Sequence, residues 1–441
     1  GGDCGEAPSD YDFSADGILF ADHTPSPKMQ EVKYLYQGIR TSISRDIVEI
    51  QNRYLFTNSS GFDCILTLGR EGKELCEHRI DTAVAPGGSG TYPLPFTIPD
   101  APGEYTVDVS FRLRQSTSWA PVGYEIAWGQ AVFTVAGEAR ITKRPSKAPD
   151  LVEGIHNLGV RGSHFIASFS RIHGGLTSYR YGLTSDGGKE LLRSIPQPNF
   201  WHAPTANERG WGMPFRDGQW LLASRYPRVK QGKDNPCALT HDDSVEVRYH
   251  YVLPTTPHSE CDVAYRVFGT GRIEVTMTVR PGEGLPDMPE FGLLLTSDAD
   301  LHHLRWHGEG PDECYVDRRN GARLGVYSSD VRRELTPYVR PQESGNRTGV
   351  RWATVTDDRG VGLHFDCPEG MEFSALPWTP FEVENAMHPG ELPPTHHTVL
   401  RPALMRRGVG GDNSWGAETH PEYRLPQGRE LVFRFGFQGV R

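Results

Sequence analysis

The stretch Ile273-Glu274-Val275-Thr276-Met277-Thr278-Val279 decides the fold class, because apolar and polar residues alternate in it without a break. A period of two places the apolar side chains on one face of a β-strand. The same alternation predicts further strands at residues 32–36, 47–50, 63–68, 105–109 and 131–135. Very few helical stretches are predicted, and a short one is placed near residues 380–385. The sequence therefore predicts an all-β protein.

Turn signals and changes of pattern divide this all-β chain into four segments. Residues 1–30 are polar and end in the extended TPSP sequence at 24–27. Residues 31–136 hold roughly seven strands, which is typical of an immunoglobulin-like sandwich. Residues 137–150 are predicted to be a linker. Residues 151–441 predict a large two-sheet β-sandwich, since one open sheet of so many strands would curl or split.

Composition excludes several classes of function. The chain has 441 residues and a formal net charge of −10, with no basic block, so binding to nucleic acid or to an anionic membrane is not expected. It contains no run of 18 apolar residues that could form a transmembrane helix. Its first residues lack a Met and an apolar signal core, so we expect the chain to begin within a longer protein.

The seven cysteines are scattered and form no CxxC pair. This usage predicts reduced thiols in a cytoplasmic protein. The alternative is an exported protein in which Cys64 and Cys76 bridge two strands.

Several longer strings are more specific than strand propensity requires. They occur in one order along the whole chain: DGILFADHTPSP (16–27), EVKY (31–34), PNFWHAPT (198–205), GPDECY (310–315), RPQESGNR (340–347), FSALPW (373–378) and GVGGDNSW (408–415). The chain resembles in these strings the carboxy-terminal part of the bacterial β-galactosidases of glycoside hydrolase family 2. The resemblance implies the end of a catalytic (β/α)8 barrel, then an immunoglobulin-like domain, then a large sandwich of the galactose-mutarotase type.

This resemblance also implies a function. The family hydrolyses terminal β-D-galactosides such as lactose with retention, using two glutamates on the barrel, and that part of the barrel is missing here. Retaining chemistry requires two carboxylates about 5–5.5 Å apart. We therefore expect no catalytic residue in this chain and no activity of the chain alone. The implied partners are a β-galactoside, the missing barrel part, and further copies of the protein in a homo-oligomer.

Trp415 is the first candidate site residue. The resemblance implies that it reaches into the active site and stacks on the sugar, whose C–H face an indole can cover. The glycines of residues 408–411 would let the backbone present it. The alternative from the residues alone is a core Trp beneath a loop.

Two ion sites follow from the resemblance. A sodium ion would bind the Phe13 carbonyl and the Asp16 side chain, and Asp16 would also touch the substrate. The family usually has Asn at that position; oxygen donors still suit a hard cation. Ser9 stands where the family has an Asn near a magnesium ion, and a hydroxyl is a weaker donor. From the residues alone, an Asx turn formed by Asp16 before Gly17 is an equally good interpretation.

Gly174 matches a glycine in a mobile loop beside the family's active site, and a two-glycine turn between strands is the alternative. The chain departs from the family's pattern in two strings. RAPTDND becomes HAPTANE at residues 202–208, with His202 and Ala206 substituted. GRGP becomes GEGP, with Glu309 in place of Arg. If those arginines pair with carboxylates, the departures imply a rewired local network.

Other motifs are weaker evidence of function. A metal site formed by His302, His303 and His307 is discounted, because a strand does not place residues 303 and 307 as helix neighbours. The glycines of 87–90 lack the Lys-Ser/Thr of a phosphate loop. Two other functions remain open: a non-catalytic carbohydrate-binding module that uses Trp415, and a mutarotase-like sugar epimerase or lyase, for which we find no acid–base pair.

Overall fold

A computed structural model describes most of the chain: residues 17–137, 147–183, 187–230, 235–413 and 416–441, with Pro8 and Gly232. The chain divides into two compact units. The smaller unit comprises Lys28–Thr142 and Asn320–Val326, and the larger comprises Gly1–Pro27, Lys143–Arg319 and Tyr327–Arg441. None of the helices in the described part has the length and apolar composition that a membrane crossing requires.

The smaller unit is a sandwich of two antiparallel sheets. Its strands within the described residues are β1 (Ile39–Ile43), β2 (Ile47–Asn52), β3 (Phe62–Arg70), β4 (Lys73–Ile80), β5 (Ser89–Pro93), β6 (Gly103–Leu113) and β7 (Glu125–Val135), with a 3-10 turn at Ser59–Gly61. The sheet orders are β1-β2-β5 and β4-β3-β6-β7. Apolar side chains of both sheets, including Ile50, Leu66 and Phe111, are fully buried in one core. The apolar faces of the two sheets therefore pack against each other, as the predicted sandwich requires.

The strand predicted at residues 32–36 is wrong. The structure has helix α1 there, Lys28–Tyr36, and none of its residues is buried. Five alternating residues are too few to distinguish a strand from a helix. The preceding Lys28, Met29 and Gln30 are good helix formers, and the helix starts directly after Pro27.

A short segment far along the chain, Asn320–Val326, belongs to the smaller unit. The side-chain amide of Gln130 exchanges two hydrogen bonds with the backbone of Leu324, at 2.8 and 2.9 Å. The guanidinium of Arg323 pairs with Glu125 and lies 4.0 Å from the ring centre of Trp128. No period in the sequence indicates this pairing, because it joins residues almost 200 positions apart.

The larger unit contains the remaining elements. Its helices are α2 (Ala206–Gly210), α3 (Met213–Arg216), α4 (Gly218–Arg225) and α5 (Pro380–Asn385), with 3-10 turns at Val331–Arg333, Pro389–Glu391 and Pro421–Tyr423. Its strands are β8 (Asp150–Glu153), β9 (Asn157–Arg161), β10 (Phe165–Ser170), β11 (Leu176–Tyr181), β12 (Lys189–Glu190), β13 (Gln197–Asn199), β14 (Arg228–Val229), β15 (Cys237–Thr240), β16 (Ser244–Leu253), β17 (Ser259–Phe268), β18 (Ile273–Arg280), β19 (Glu290–Asp298), β20 (His303–Gly310), β21 (Arg323–Asp330), β22 (Arg347–Thr356), β23 (Gly362–Leu376), β24 (His397–Arg406) and β25 (Leu431–Val440).

These strands form a five-stranded sheet, β12-β11-β10-β9-β8, and a thirteen-stranded sheet whose main path is β13-β19-β24-β23-β25-β18-β17-β16-β14. The alternating stretch at residues 273–279 is β18, between β17 and β25. Its apolar residues are buried and its polar residues are partly exposed, as the period of two requires. The predicted mostly-β class, with a large sheet unit after a small sandwich, is confirmed.

Two local predictions also have clear outcomes. The predicted helix at 380–385 is α5, and a capping box between Thr379 and Glu382 fixes its first turn. The cysteines in the described residues are free, and Cys64 lies opposite Ile80 rather than opposite Cys76 in the β3–β4 pair. The alternative bridge between Cys64 and Cys76 is absent.

Candidate functional site

The candidate residues predicted from the sequence are mostly beyond the described part of the chain. Trp415, Phe13, Asp16 and Ser9 lie outside the described residues. Their roles therefore stay predictions, and the sodium and magnesium sites are not tested. The structure describes Gly174 and the backbone on both sides of residue 415.

The segment that carries residue 415 leaves the core at the end of β24. We call residues 408–413 and 416–420 the 408–420 loop. Gly408 is buried, whereas Gly411, Asp412 and Asn413 are exposed, so the backbone passes from core to surface within four residues.

Hydrogen bonds fix the base of the 408–420 loop. The amide of Gly410 donates to Oδ2 of Asp317 at 2.7 Å. The hydroxyl of Thr419 bridges the carbonyls of Gly408 and Gly410 at 2.8 and 3.0 Å. The side chain of Asn207 donates to the carbonyl of Ala417 at 3.3 Å. The two ends of the loop are thereby held together.

Two glycines of the 408–420 loop are required because neighbouring atoms leave no room for a side chain; their backbone angles are not the reason. A Cβ at Gly408 would lie 2.5 Å from Cγ of Asp317. A Cβ at Gly411 would lie 2.4 Å from the carbonyl oxygen of Ala417. Any side chain at these positions would displace the contacts that close the loop.

Directly before the loop, β24 and the residue after it bring three guanidinium groups into the core. We define the arginine network as Arg401, Arg406 and Arg407 with their acidic and histidine partners: Glu290, Glu343, Glu208, Asp217, Asp287 and His202. All nine residues are buried. Buried charges require partners, and each arginine here has at least two carboxylates.

The first half of the network is centred on Glu290. Arg401 pairs with one oxygen of Glu290 through Nη2 and with Glu343 through Nη1 at 3.0 Å. Nε of Arg406 donates to Glu290 at 2.9 Å, and the side chain of Asn199 donates to it at the same distance. Burial raises the pKa of Glu290, but the charges of Arg401 and Arg406 outweigh burial, and the net shift is downward. Glu290 is therefore a fixed anion.

The second half is centred on Arg407. Its guanidinium donates to Glu208 at 3.0 and 3.2 Å and to Asp217 at 2.8 Å. His202 meets Glu208 through Nε2 at 2.9 and 3.0 Å. Burial lowers the pKa of His202, but the charge and the hydrogen bond of Glu208 outweigh it, so the pKa is raised overall. The pair is thus an imidazolium and a carboxylate.

This geometry explains the first departure from the family's pattern. His202 replaces an Arg, and Glu208, six residues on, replaces an Asp. In this chain the shorter cation faces the longer carboxylate at 2.9 Å. The backbone amide of Ala206, where the family's string has an Asp, donates a hydrogen bond to Oε1 of Gln342 at 3.0 Å.

The second departure, Glu309, also has a partner. Its carboxylate pairs with Arg319 and accepts a hydrogen bond from the hydroxyl of Thr348. A negative charge in place of the family's Arg is thus balanced by a local arginine. His202 and Glu309 each have an ionic partner in this chain, and the rewiring relative to the family stays a prediction.

Glu372 lies at the edge of the arginine network and differs from Glu290. Its Oε2 accepts a hydrogen bond from Asn346 at 2.8 Å, but Nη1 of Arg406 is 3.7 Å away. Burial raises the pKa of Glu372 to about 7, because the more distant guanidinium does not offset the loss of water. This carboxyl therefore titrates near neutral pH inside the core.

Gly174 lies in the turn between β10 and β11. Gly174 and Gly175 both have positive φ, at 75° and 81°. A Cβ at Gly174 would lie 2.0 Å from Cγ2 of Val229. The hydroxyl of Tyr249 holds the turn through the carbonyl of Gly175 at 3.2 Å. Backbone angle and packing thus account for the glycine, and its role beside an active site stays a prediction.

Sequence reasoning did not identify the arginine network. Two of its members, His202 and Glu343, lie in strings singled out for resemblance, and Asn199 and Ser374 of the strings at 198–205 and 373–378 add hydrogen bonds to it. One signal could have found it: Arg401, Arg406 and Arg407 interrupt an otherwise apolar strand just before a glycine run. Charges in such a strand require buried partners.

Comparison with known protein families gives three consecutive matches. The family described as beta galactosidase small chain matches residues 161–437. Beta-galactosidase domain 4 matches residues 48–134, and the TIM barrel domain of the glycosyl hydrolases family 2 matches residues 1–41.

Similar curated proteins are bacterial β-galactosidases. That of Halalkalibacterium halodurans is 38% identical over all of this chain and 43% of its own length. That of Streptococcus thermophilus is 38% identical over 96% of this chain and 40% of its own length. A β-galactosidase small subunit of Latilactobacillus sakei is 31% identical over 65% of this chain and 96% of its own length. The chain spans about two fifths of the two full-length relatives.

Solved structures that resemble the chain include a GalM/aldose epimerase homologue from C. elegans, with a TM-score of 0.34 and 8% identity over 63% of this chain and 96% of that one. A galactose 1-epimerase from Lactobacillus acidophilus NCFM has a TM-score of 0.33 and 7% identity over 67% of this chain and 99% of that one.

Proposed function

The chain belongs to the bacterial β-galactosidases of glycosyl hydrolase family 2 and corresponds to their carboxy-terminal part, and from this premise we propose that it completes a galactoside-binding site without supplying the catalytic carboxylates. The substrate is a terminal β-D-galactoside, and the reaction is retaining hydrolysis. The observation that carries the proposal is the 408–420 loop, anchored on the arginine network and directed to the surface.

The fate of the buried carboxylates supports the absence of a catalytic pair. A retaining glycosidase requires an acid and a nucleophile that both reach the substrate. Glu290, Glu343 and Glu208 are buried and are bound by Arg401 and Arg407, so their oxygens are not available to a sugar. The acid and the nucleophile would come from the barrel of a longer chain or of a large subunit. The small-subunit relative supports the possibility of a separate partner.

We assign the roles at this site by family resemblance. Trp415 would stack on the apolar face of galactose. Asp16 would contact the sugar and, with the carbonyl of Phe13, a sodium ion. Ser9 would lie beside a magnesium ion held mostly by residues outside this chain. The segments 1–30, 31–136, 137–150 and 151–441 would be the end of the barrel, the immunoglobulin-like domain, a linker and the large sandwich.

The test is hydrolysis of a nitrophenyl β-galactoside by the purified chain, alone and mixed with the amino-terminal part of a related β-galactosidase. We expect activity only in the mixture. Trp415→Ala should lower kcat/KM of the mixture at least tenfold, which is about 1.4 kcal/mol of transition-state stabilisation. Trp119→Ala is the matched control, because Trp119 is an exposed tryptophan of the smaller unit.

Each outcome has a distinct meaning. Activity of the chain alone would contradict the absence of catalytic carboxylates. An equal loss in the Trp415 and Trp119 variants would contradict stacking by Trp415. No activity in the mixture, together with galactose binding by the chain, would favour the carbohydrate-binding module.

A further inference from the structure

A second cluster of chemically competent side chains lies at the start of β20, far along the chain from the 408–420 loop. The rings of His302 and His303 lie 4.1 Å apart, centre to centre. Nε2 of His303 is 2.7 Å, and Nε2 of His302 is 3.3 Å, from the same oxygen, Oδ1 of Asp358. One ligand atom from each residue lies within 4.8 Å of the others.

The expectation that excluded a metal here considered His307 as the third ligand. His307 is buried inside β20, with its ring 6.2 Å from that of Trp352, and does not belong to this cluster. The third candidate comes instead from the turn between β22 and β23. From these positions we propose that His302, His303 and Asp358 bind one divalent transition-metal ion, for which zinc is the best fit.

The donor set suits zinc. Two imidazole nitrogens and one carboxylate oxygen are common zinc ligands, at about 2.0–2.2 Å from the metal. Ligands at such distances in a tetrahedron are about 3.3 Å apart, which the separation of His302 and Asp358 already matches. His303 and Asp358, now at hydrogen-bond distance, have to separate by about half an ångström.

The surroundings select the ligand nitrogen of His302. Its other nitrogen, Nδ1, is buried and lies 3.5 Å from Oδ2 of Asp330, which is too long for a good hydrogen bond. A carboxylate on that side favours the tautomer with hydrogen on Nδ1 and leaves the Nε2 lone pair for a metal. Binding would draw Asp330 and the ring together and satisfy a buried polar atom.

Backbone hydrogen bonds hold the ligands in place. The amide of His302 donates to the carbonyl of Thr356 at 3.0 Å, and its carbonyl accepts from Val331 at 2.8 Å. Oδ1 of Asp357 caps the turn by accepting from the amides of Arg359 and Val361, both at 2.9 Å. The turn that carries Asp358 is therefore rigid, which lowers the entropy cost of binding an ion.

The neighbouring acids are bound by Lys189, whereas Asp358 contacts the two histidines that are proposed to share the ion with it. Lys189 binds Asp300 and Asp357, each at 2.8 Å. The side chain of Asp358 is 81% exposed, so an ion can reach it from solvent. His302 and Asp358 line a cleft of about 770 Å³, whose other walls include Lys189 and Arg359. The fourth position on the metal would open into this cleft and take water or a small anion.

A second histidine pair offers a matched contrast. His396 and His397 lie beside Glu382, with ring centres 4.0 Å apart. However, Oε2 of Glu382 already accepts hydrogen bonds from the amide and hydroxyl of Thr379, at 2.7 and 2.8 Å, as the cap of α5. Metal binding there would compete with the helix cap. The first cluster is therefore the better site.

The test is calorimetric titration of the metal-free chain with zinc chloride, with cobalt chloride as a spectroscopic probe. We expect uptake of one equivalent and a cobalt spectrum of a four-coordinate site without thiolate ligands. His303→Gln and Asp358→Asn should each weaken binding at least tenfold. Asp330→Asn keeps an acceptor oxygen and should weaken binding about tenfold through the orientation of His302. His396→Gln is the control and should leave the affinity unchanged.

Thermal unfolding separates binding from folding. Zinc should raise the Tm of the wild-type chain, because a ligand of the folded state stabilises it, and should not raise that of His303→Gln. Without metal, the two should unfold alike, since the His303 side chain is half exposed. Absence of saturable zinc uptake would overturn the proposal. So would uptake that His303→Gln and Asp358→Asn leave intact, or that His396→Gln abolishes. The proposal does not depend on the galactosidase function.

Discussion

Two carboxylates in this molecule are each bound by two arginines, one in the larger unit and one in the smaller. Glu290 lies between Arg401 and Arg406 with all three side chains at most 1% exposed. Asp63 lies between Arg79, which is 56% exposed, and Arg114, which is 34% exposed. Two guanidinium groups bind each carboxylate, and the main difference is the access of water, although Glu290 also accepts a hydrogen bond from Asn199.

The access of water decides how much each set of ion pairs contributes to the free energy of unfolding. At the surface, solvent and salt screen the attraction, and a broken pair is rehydrated. In the core, removal of one partner leaves a charge with neither water nor a counter-ion. The Asp63 pairs can therefore be changed at little cost, whereas the arginine network fixes the positions of everything attached to it, including the 408–420 loop.

Among the variants that test this comparison, Glu290→Gln is expected to have the largest effect on stability. The change keeps the shape but removes the charge between two buried guanidinium groups. We expect a loss of about 3–5 kcal/mol in the free energy of unfolding. Urea denaturation gives the size of the loss, and hydrogen exchange should show it in β24. A loss below about 1 kcal/mol would mean that water reaches the network.

A smaller effect is expected from pH at Glu372. Its pKa is about 7 in the folded state and 4.5 in the unfolded state, so the unfolded state loses the proton first as pH rises. Stability from this group is therefore full below pH 4.5 and is lost as pH rises through 7. Between pH 5 and 8 the loss is about 2.5 kcal/mol.

Glu372→Gln removes this titration. We expect the variant to gain about 2.5 kcal/mol relative to the wild type between pH 5 and 8, as measured by urea denaturation at both values. Parallel pH profiles of the two proteins would contradict a raised pKa at Glu372.

The third prediction concerns side-chain length at two positions, where His202 is shorter than the family's Arg and Glu208 is longer than the family's Asp. His202→Arg alone overfills a buried site, which typically costs about 1–3 kcal/mol. Adding Glu208→Asp restores the family's combination and should recover at least 1 kcal/mol relative to the sum of the single changes. A double-mutant cycle of unfolding free energies measures the coupling. Additive effects would show that the two positions changed independently.

The smallest effect is expected at the surface counterpart. Asp63→Asn matches Glu290→Gln in chemistry and should change the free energy of unfolding by less than about 1 kcal/mol. Added salt should diminish even this difference. A loss comparable to that of Glu290→Gln would remove burial as the explanation of the contrast.

Several strands were predictable because the alternation of apolar and polar residues that marks a strand is visible within a few consecutive residues. The alternation in residues 273–279 identified β18, and Thr379 three residues before Glu382 marks the start of α5. Helix α1 was misread because five alternating residues carry too little information. The candidate site was less predictable: the resemblance selected strings that contain His202 and Glu343, but it did not indicate that these residues share one buried network with Arg401, Arg406 and Arg407.

The sequence by itself determined the class of structure, the positions of five strands (β2, β3, β6, β7 and β18) and the family, since period, turn residues and extended motifs are properties of neighbours along the chain. Only the tertiary structure decided that Arg406 binds Glu290, 116 residues away, or that Asp358 lies beside His302 and His303. Such pairs depend on sheet register and turn geometry. Whether a charge there is costly or nearly neutral depends on the exclusion of water, which exists only once the chain has folded.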